Sequence, residues 1–318
     1  MTDLNVRHRA VLPVTEPYSF ELSQRALASF RPFAGDHQIT DGRIRKALTI
    51  PNPPGRSGPP ERAVLVEVDG PTPPAADVRL AVFAAEPLDA TEAALIERAV
   101  SRWLSLGDDM TGFLKVAADD PVMRRLIDVA CGLHQVRFAS LAEGVVYFTL
   151  AQRSTQWFAA ARKRRIAAER GPVVTLDGTL YTGFPSLRTL AALTDHELLG
   201  YGGNRQRAER LRSVIDGVAV LDEEWLRTAP YEEARQALLT VTGIGGFTAH
   251  AVLLRVLGRP DDAPLEMAQF TLAARAIYGD PPPTPDELRE RYGPWAGWWA
   301  YLSRTALDWL REPTAVEA

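Results

Sequence analysis

Residues 238–257, Leu-Leu-Thr-Val-Thr-Gly-Ile-Gly-Gly-Phe-Thr-Ala-His-Ala-Val-Leu-Leu-Arg-Val-Leu, read as two apolar-periodic helices joined by a turn, Thr242-Gly243-Ile244-Gly245-Gly246. That turn is too short and too rich in glycine to be an ordinary loop. Gly243 and Gly245 are expected to take positive φ and to leave the backbone bare. The second helix starts beside them, so its first unpaired N–H groups point outward from an exposed corner. Such a corner suits one phosphate oxygen. Ile244, flanked by glycines, is expected to plug inward and hold the two helices together. The pattern predicts a grip on a nucleic-acid backbone that reads no bases. The plainer reading is a glycine-capped helical hairpin with no ligand.

The chain has 318 residues, enough for two or three units sharing sizeable cores. Hydrophobic residues make up 46% and charged residues 24%, the balance of an ordinary globular protein. No run is long and apolar enough for a membrane span. The N-terminus lacks the apolar stretch of a signal peptide, so a cytoplasmic location is the default expectation. The single cysteine, Cys131, excludes an intramolecular disulfide and any all-cysteine metal site. It is expected to be a buried small hydrophobe.

A net charge of −4 argues mildly against nucleic acid, but binding needs a basic face and not a basic total. Basic residues cluster at Arg153, at Arg162-Lys163-Arg164-Arg165 and at Arg205, Arg207, Arg210 and Arg212. Arginines this dense are commonly just a solvated helix face; here they share the hairpin's half of the chain.

The chain divides into an α+β part over 1–88 and an all-helical part over 89–318, with the hairpin at 230–257. In the first part Tyr18 to Phe30 has helical spacing, with Phe20, Leu27 and Phe30 on one side. Residues 63–68 and 78–83 are short β-branched runs implying a small antiparallel sheet that carries a helix on one face. Before them, between Ile50 and Glu61, residues 51–60 form a proline- and glycine-rich stretch expected to be a mobile loop. From Asp89 onward strand signals nearly vanish. Helical periodicity falls at about 91–106, 121–131, 140–152, 155–170, 186–199, 205–217, 230–241, 246–257, 266–278 and 294–310. Asp89, Asp222 and Asp286 are expected to cap helix starts.

Several stretches, in order, resemble the helix-hairpin-helix DNA glycosylases and, more narrowly, the AlkA-type 3-methyladenine DNA glycosylases. They are Pro17-Tyr18-Ser19-Phe20; Gly132-Leu133 with Phe138 to Gln152; Gly202-Gly203-Asn204-Arg205-Gln206-Arg207-Ala208; Gly243-Ile244-Gly245-Gly246-Phe247-Thr248-Ala249; and Gly293-Pro294-Trp295. The likeness runs over essentially the whole chain. It implies a small antiparallel-sheet N-terminal domain and a core of two helical subdomains with a cleft between them. The family's catalytic aspartate lies about twenty residues after the hairpin glycines in a Pro-x-Asp pattern. Here the corresponding residues are Pro264-Leu265-Glu266, so Glu266 stands at that position.

The resemblance further implies removal of alkylated purines from duplex DNA by base flipping, in base excision repair. A base that already carries positive charge leaves as a neutral purine, and charge builds on the deoxyribose as an oxocarbenium ion. One carboxylate below the sugar stabilises it. Glu266, beside Met267 at a helix start, is expected to do so from a mostly apolar cleft. Gln152 and Arg153 stand where the family carries its wedge, and Arg153 could either fill the vacated stack or contact phosphate. The rings proposed for the base pocket are Phe247, Trp295, Trp157 and Tyr147, with Trp298 as a further candidate. A core stripe is the competing reading for most of them. A ring stacked on a cationic base gains more than on a neutral one.

Thr242, Gly243, Gly245, Gly246, Thr248 and Arg205 are the expected contacts to the DNA backbone. The family's strand-nicking members use a lysine just after the hairpin glycines; Phe247 stands there, and no lysine occurs in 238–258, so a Schiff-base lyase step is not expected. His250 and His134 are read as non-catalytic. No cofactor or catalytic metal is expected; the resemblance implies only a monovalent cation held by hairpin carbonyls. The expected partner is duplex DNA with alkylated bases, with no membrane association and a monomeric chain. The alternative function is a catalytically silent protein recognising damaged or distorted duplex, because glutamate replaces the family's aspartate.

Overall fold

The computed structural model describes residues 4–53, 58–71 and 77–311. Of the loop expected at 51–60, residues 54–57 lie outside the described residues.

Strands β1 (Asn5–Leu12), β2 (Gln38–Thr40), β3 (Arg43–Pro51), β4 (Glu61–Asp69) and β5 (Val78–Ala84) form one antiparallel sheet in the order β1-β5-β4-β3-β2. Side chains alternate across a strand, so each sheet residue faces one side or the other. Leu48, Ile50, Val64, Val66 and Val82 enter the main core. Their neighbours Ala47, Leu65 and Phe83, paired across β3, β4 and β5, face the opposite side.

That second face is covered by a two-stranded ribbon, β6 (Val173–Leu176) and β7 (Thr179–Thr182), through Tyr181, Val174 and Leu176. The helical part therefore contains strands, contrary to the expectation from its periodicity. Val173-Val-Thr-Leu and Thr179-Leu-Tyr-Thr flank Asp177-Gly178, and both turn residues have positive φ. This is the hairpin turn that Asp-Gly favours.

Helix α1 (Phe20–Ser29) buries Phe20 and Leu27, with Phe30 packed beside them. The helical part runs through α2 (Ala90–Leu104), α3 (Thr111–Ala118), α4 (Pro121–Ala130), α5 (Leu141–Ala151) and α6 (Gln156–Arg170). After the ribbon come α7 (Leu187–Ala191), α8 (Asp195–Gly202), α9 (Arg205–Ala219), α10 (Glu223–Thr228), α11 (Tyr231–Leu239) and α12 (Gly246–Val252). The last are α13 (Ala268–Tyr278), α14 (Pro285–Tyr292) and α15 (Ala296–Thr305). One core joins sheet and helices.

Three details differ from the sequence reading. The helix expected over 186–199 is two helices, because Thr194 and Glu197 form a reciprocal capping box that starts α8. Asp222 caps α10 and Asp89 caps α2, but α14 is capped by Thr284 with Glu287, leaving Asp286 inside its first turn. Cys131, at the end of α4, is exposed, so it is not a core hydrophobe.

The basic run on α6 is also not a uniform solvated face. Lys163 is buried at 1% exposure, bonded to Glu143 of α5 at 2.7 Å and to Asp36. Lys46 of β3 lies 3.8 Å from Glu143. Burial alone would raise the Glu143 carboxyl, but the two lysines outweigh it and hold the group at about 2. This sealed cluster joins the N-terminal sheet region to α5 and α6.

Candidate nucleic-acid interface and carboxylate site

The hairpin joins α11 to α12 through a tight turn in which the Ile244 N–H donates to the Val241 carbonyl at 3.0 Å. Ile244 is 6% exposed and plugs inward as expected. Gly243 has φ +98°, and a Cβ there would stand 2.8 Å from Arg210 Cγ and 3.0 Å from Val214 Cγ2 of α9. Both the backbone and the close passage of α9 demand glycine. Gly245 differs from the expectation: at φ −99°, ψ 176° it is extended. Nothing stands within 4 Å of a Cβ built on Gly245 or Gly246, so this corner is open. No side chain caps the start of α12. Its first N–H groups are left without a side-chain acceptor, as a phosphate-binding corner requires.

Gln152 closes the arrangement. Its amide donates to the Gly243 carbonyl at 2.9 Å and to the Thr248 hydroxyl at 3.1 Å, tying the α5–α6 turn to the hairpin. Two expectations are corrected by this contact. Gln152 is not a wedge, because its side chain is engaged inside the protein. Thr248 is not a DNA contact, because it is 2% exposed beneath that amide. The carbonyls of Gly243, Val241 and Gly245 already accept Gln152, Ile244 and Ala249. Each of these carbonyl oxygens keeps a second lone pair.

Next to Gln152, Arg153 is exposed and has φ +51°, a left-handed conformation that a non-glycine residue adopts at a cost. Among the described residues its guanidinium makes no hydrogen bond or ion pair. Most other arginines of the basic group do: Arg162 and Arg165 donate to the Gly200 carbonyl, Arg207 to that of Gly202, and Arg205 pairs with Glu209. Arg205 remains highly exposed at the start of α9. Arg210 lays its stem against Gly243 of the hairpin.

The expected pocket rings separate into different environments. Phe247, 37% exposed at the first turn of α12, meets the edge of Phe148 at 6.3 Å between centroids. Tyr147 is core, packed against Phe138 and Phe148, and burial pushes its hydroxyl up to about 12. Helix α5 is buried on every side from Leu141 to Leu150, which removes Tyr147 from any open pocket. Trp298 is likewise buried, beside Phe113. Trp157 stands in solvent at the start of α6 with the Arg31 guanidinium 5.5 Å from its ring, a surface stack and not a pocket wall. Trp295 is half-buried over Gly112 of α3, where a Cβ would come within 2.2 Å of its ring.

Glu266 lies in the loop between Leu257 and α13, just before the helix start. Its neighbours Ala263 and Leu265 are buried, and the Met267 N–H donates to the Pro264 carbonyl at 3.0 Å, so the backbone there is fixed. Its side chain is not in an apolar cleft. The carboxylate is 62% exposed and accepts from Arg289 Nη1 at 2.6 Å. That hydrogen bond holds the Glu266 carboxyl below the usual carboxylate range. The glutamate side chain reaches a guanidinium on α14.

Around it lies a network that the sequence reading did not assemble. Arg289 Nε donates to Asp262 at 2.9 Å and Nη2 to the Ala263 carbonyl at 3.1 Å. Asp262 is 4.0 Å from His250 Nδ1, which lies 2.8 Å from the Tyr231 hydroxyl. Burial lowers the His250 ring despite Asp262. Asp261 pairs with Arg259 as a loop residue, and the buried His134 bonds the carbonyls of Ser105 and Pro17, a structural role. No group of three or more metal-ligating side chains occurs among the described residues. No helix among them is long and apolar enough to cross a membrane.

No family model matches the chain. It is 26% identical over 211 residues to a DNA-3-methyladenine glycosylase of Bacillus subtilis, covering 65% of this chain and 70% of that protein. It is 29% identical over 307 residues to a Mycobacterium tuberculosis protein named as a probable bifunctional transcriptional activator/DNA repair enzyme AlkA. That match covers 95% of this chain but 57% of the relative, so the chain spans little more than half its length. A solved 3-methyladenine DNA glycosylase of Archaeoglobus fulgidus has a TM-score of 0.73 at 20% identity, over 96% of this chain and 98% of that one. The fold is that of the helix-hairpin-helix DNA glycosylases. The two sequence relatives carry 3-methyladenine glycosylase and AlkA names, both at identities below 30%.

Proposed function

We propose that this chain is a monofunctional DNA glycosylase that releases alkylated, 3-methyladenine-like purines from duplex DNA. The observation that carries the reading is the pairing of two features through Gln152: an open, uncapped hairpin corner, and a turn that displays a strained, unpaired Arg153. The first suits a phosphate and the second suits the gap left by a turned-out nucleotide. Strain at an exposed turn residue is tolerated where the surrounding structure over-determines it and function uses it.

In this reading the corner formed by Thr242, Gly243, Gly245 and Gly246 takes one phosphate, with Arg205 and Arg210 adding charge. Arg153 enters the stack. Phe247 and Trp295 remain as the rings that could meet the extruded base. Glu266, ionised at neutral pH, stabilises the cationic sugar as the base departs and helps deprotonate the attacking water. No lysine follows the hairpin glycines, so the product is an abasic site and the strand stays intact.

A silent reader of distorted duplex is the second reading, and one observation favours it. Glu266 is already paired to Arg289 and largely in solvent. The test is base release from duplexes carrying methylated purines, hypoxanthine or etheno adducts, beside Glu266→Gln. The enzyme reading expects release by the wild type alone and similar DNA affinity for both. Absence of release from every duplex, with salt-dependent binding retained, would leave the silent reader standing.

A further inference from the structure

Arg289 draws three acceptors from one loop. Its Nε donates to Asp262 at 2.9 Å, its Nη2 to the Ala263 carbonyl at 3.1 Å and its Nη1 to Glu266 at 2.6 Å. The first two are four and three residues before Glu266, so the guanidinium staples the segment that ends in the carboxylate. Its own helix is well anchored. The Thr284–Glu287 capping box fixes the start of α14, Leu288 and Tyr292 are buried, and the Tyr292 hydroxyl donates to Asp120 at 2.9 Å. A planar fork with five donors is the side chain that can hold several acceptors in one geometry.

We propose that Arg289 is the positioning residue for Glu266, setting where this carboxylate stands against the sugar. The inference rests on the glycosylase reading above. It also gives the glutamate a physical reason. An aspartate at 266 would be shorter by one carbon–carbon bond, about 1.5 Å. From the same fixed backbone it would fall short of Nη1, and the staple would hold the loop but not the carboxylate. The charged groups around Glu266 are Arg289 and Asp286 of α14, Asp262 of the loop and His250 of α12. Of these, Arg289 is the one bonded to Glu266, and its removal lets the carboxyl rise toward its ordinary range.

The sign of the pH effect follows. Catalysis needs the ionised carboxylate, so the single-turnover rate falls at low pH as Glu266 takes a proton. With Arg289 present that fall lies below the ordinary glutamate range; without Arg289 it moves upward. The test compares wild type, Arg289→Gln and Arg289→Lys on a methylated duplex from which the wild type releases the base. Expected for Arg289→Gln are a rate loss between about 10- and 100-fold, the scale of a misplaced reacting group, unchanged DNA affinity, and an acid limb displaced upward. Arg289→Lys restores the acid limb, through its charge, but only part of the rate, because it lacks the fork. Carboxyl titration of Glu266 by NMR, without DNA, should show the same upward displacement in Arg289→Gln. Wild-type rate and acid limb in an Arg289→Gln protein that merely melts earlier would overturn the inference while leaving the glycosylase reading intact. A wild type inert on every duplex overturns that reading first, and this inference with it.

Discussion

Two carboxylate–cation clusters occupy opposite environments in this fold. Around Lys163, Glu143, Asp36 and Lys46 the charges are sealed, with the Lys163 side chain 1% exposed. Around Arg289, Glu266 and Asp262 they lie open, with Glu266 62% exposed. The chemistry is the same, and the surroundings decide its use. A sealed cluster cannot exchange partners without leaving a buried charge uncompensated, so it specifies how the sheet region meets α5 and α6. An open pair adds little to stability but stays within reach of a ligand, so a carboxylate held there can act on one. Density of charge along the chain does not separate the two, because Lys163 sits in the middle of the most basic run.

The contrast breaks most sharply at Lys163. Lys163→Met leaves Glu143 and Asp36 buried without their cation and should destabilise the fold by about 3–5 kcal/mol, measured by urea unfolding. Arg289→Gln, in the open pair, should cost at most about 1 kcal/mol. Equal losses in the two variants would erase the distinction.

The two hairpin glycines allow a smaller version of the same comparison. Gly243→Ala meets both positive φ and the Arg210 stem, and should cost roughly 1–3 kcal/mol of stability. Gly245→Ala, extended and unobstructed, should leave stability within about 0.5 kcal/mol but weaken DNA binding, read by titration at two salt concentrations. A Gly245→Ala protein with unchanged DNA affinity would mean that the open corner is not a phosphate site.

Arg153→Ala should leave the melting temperature nearly unmoved and slow excision about tenfold, some 1.4 kcal/mol. A wedge filling the vacated stack predicts this rate effect with little change in binding to undamaged duplex. A phosphate contact predicts the reverse, and a shallower salt dependence.

An effect confined to acid pH concerns His37, beside the sealed cluster. Burial, with Lys46 and Lys163 adding to it, lowers its ring from 6.5 to about 4. The unfolded chain thus binds a proton that the folded chain does not. Stability from this group is present above pH 6.5 and is lost as pH falls toward 4. In His37→Gln the decline in stability over that window should be shallower, and an unchanged slope would remove His37 from the account.

Much of this molecule was legible in the chain. The hairpin, the inward Ile244 and the antiparallel sheet follow from periodicity and glycine placement, which act over a few residues. The ribbon at 173–182 carried its own signal in Asp177-Gly178, but its strands are four residues each beside long helical runs. The candidate site was less legible because its contacts are distant in sequence. Gln152 reads as a turn residue until Gly243 and Thr248, more than ninety positions away, come against it. Glu266 reads as an isolated acid until α14 brings Arg289 to it. Tyr147 reads as one ring among many until α5 proves buried on all sides.

The most direct measurement is single-turnover base release from a duplex containing a methylated purine, by wild type and Glu266→Gln, with DNA affinity measured for both. The account predicts release by the wild type and a loss of roughly 10²–10³-fold in the variant, the scale of removing one preorganised electrostatic group, at unchanged affinity and stability. Release at the same rate from both proteins would contradict it.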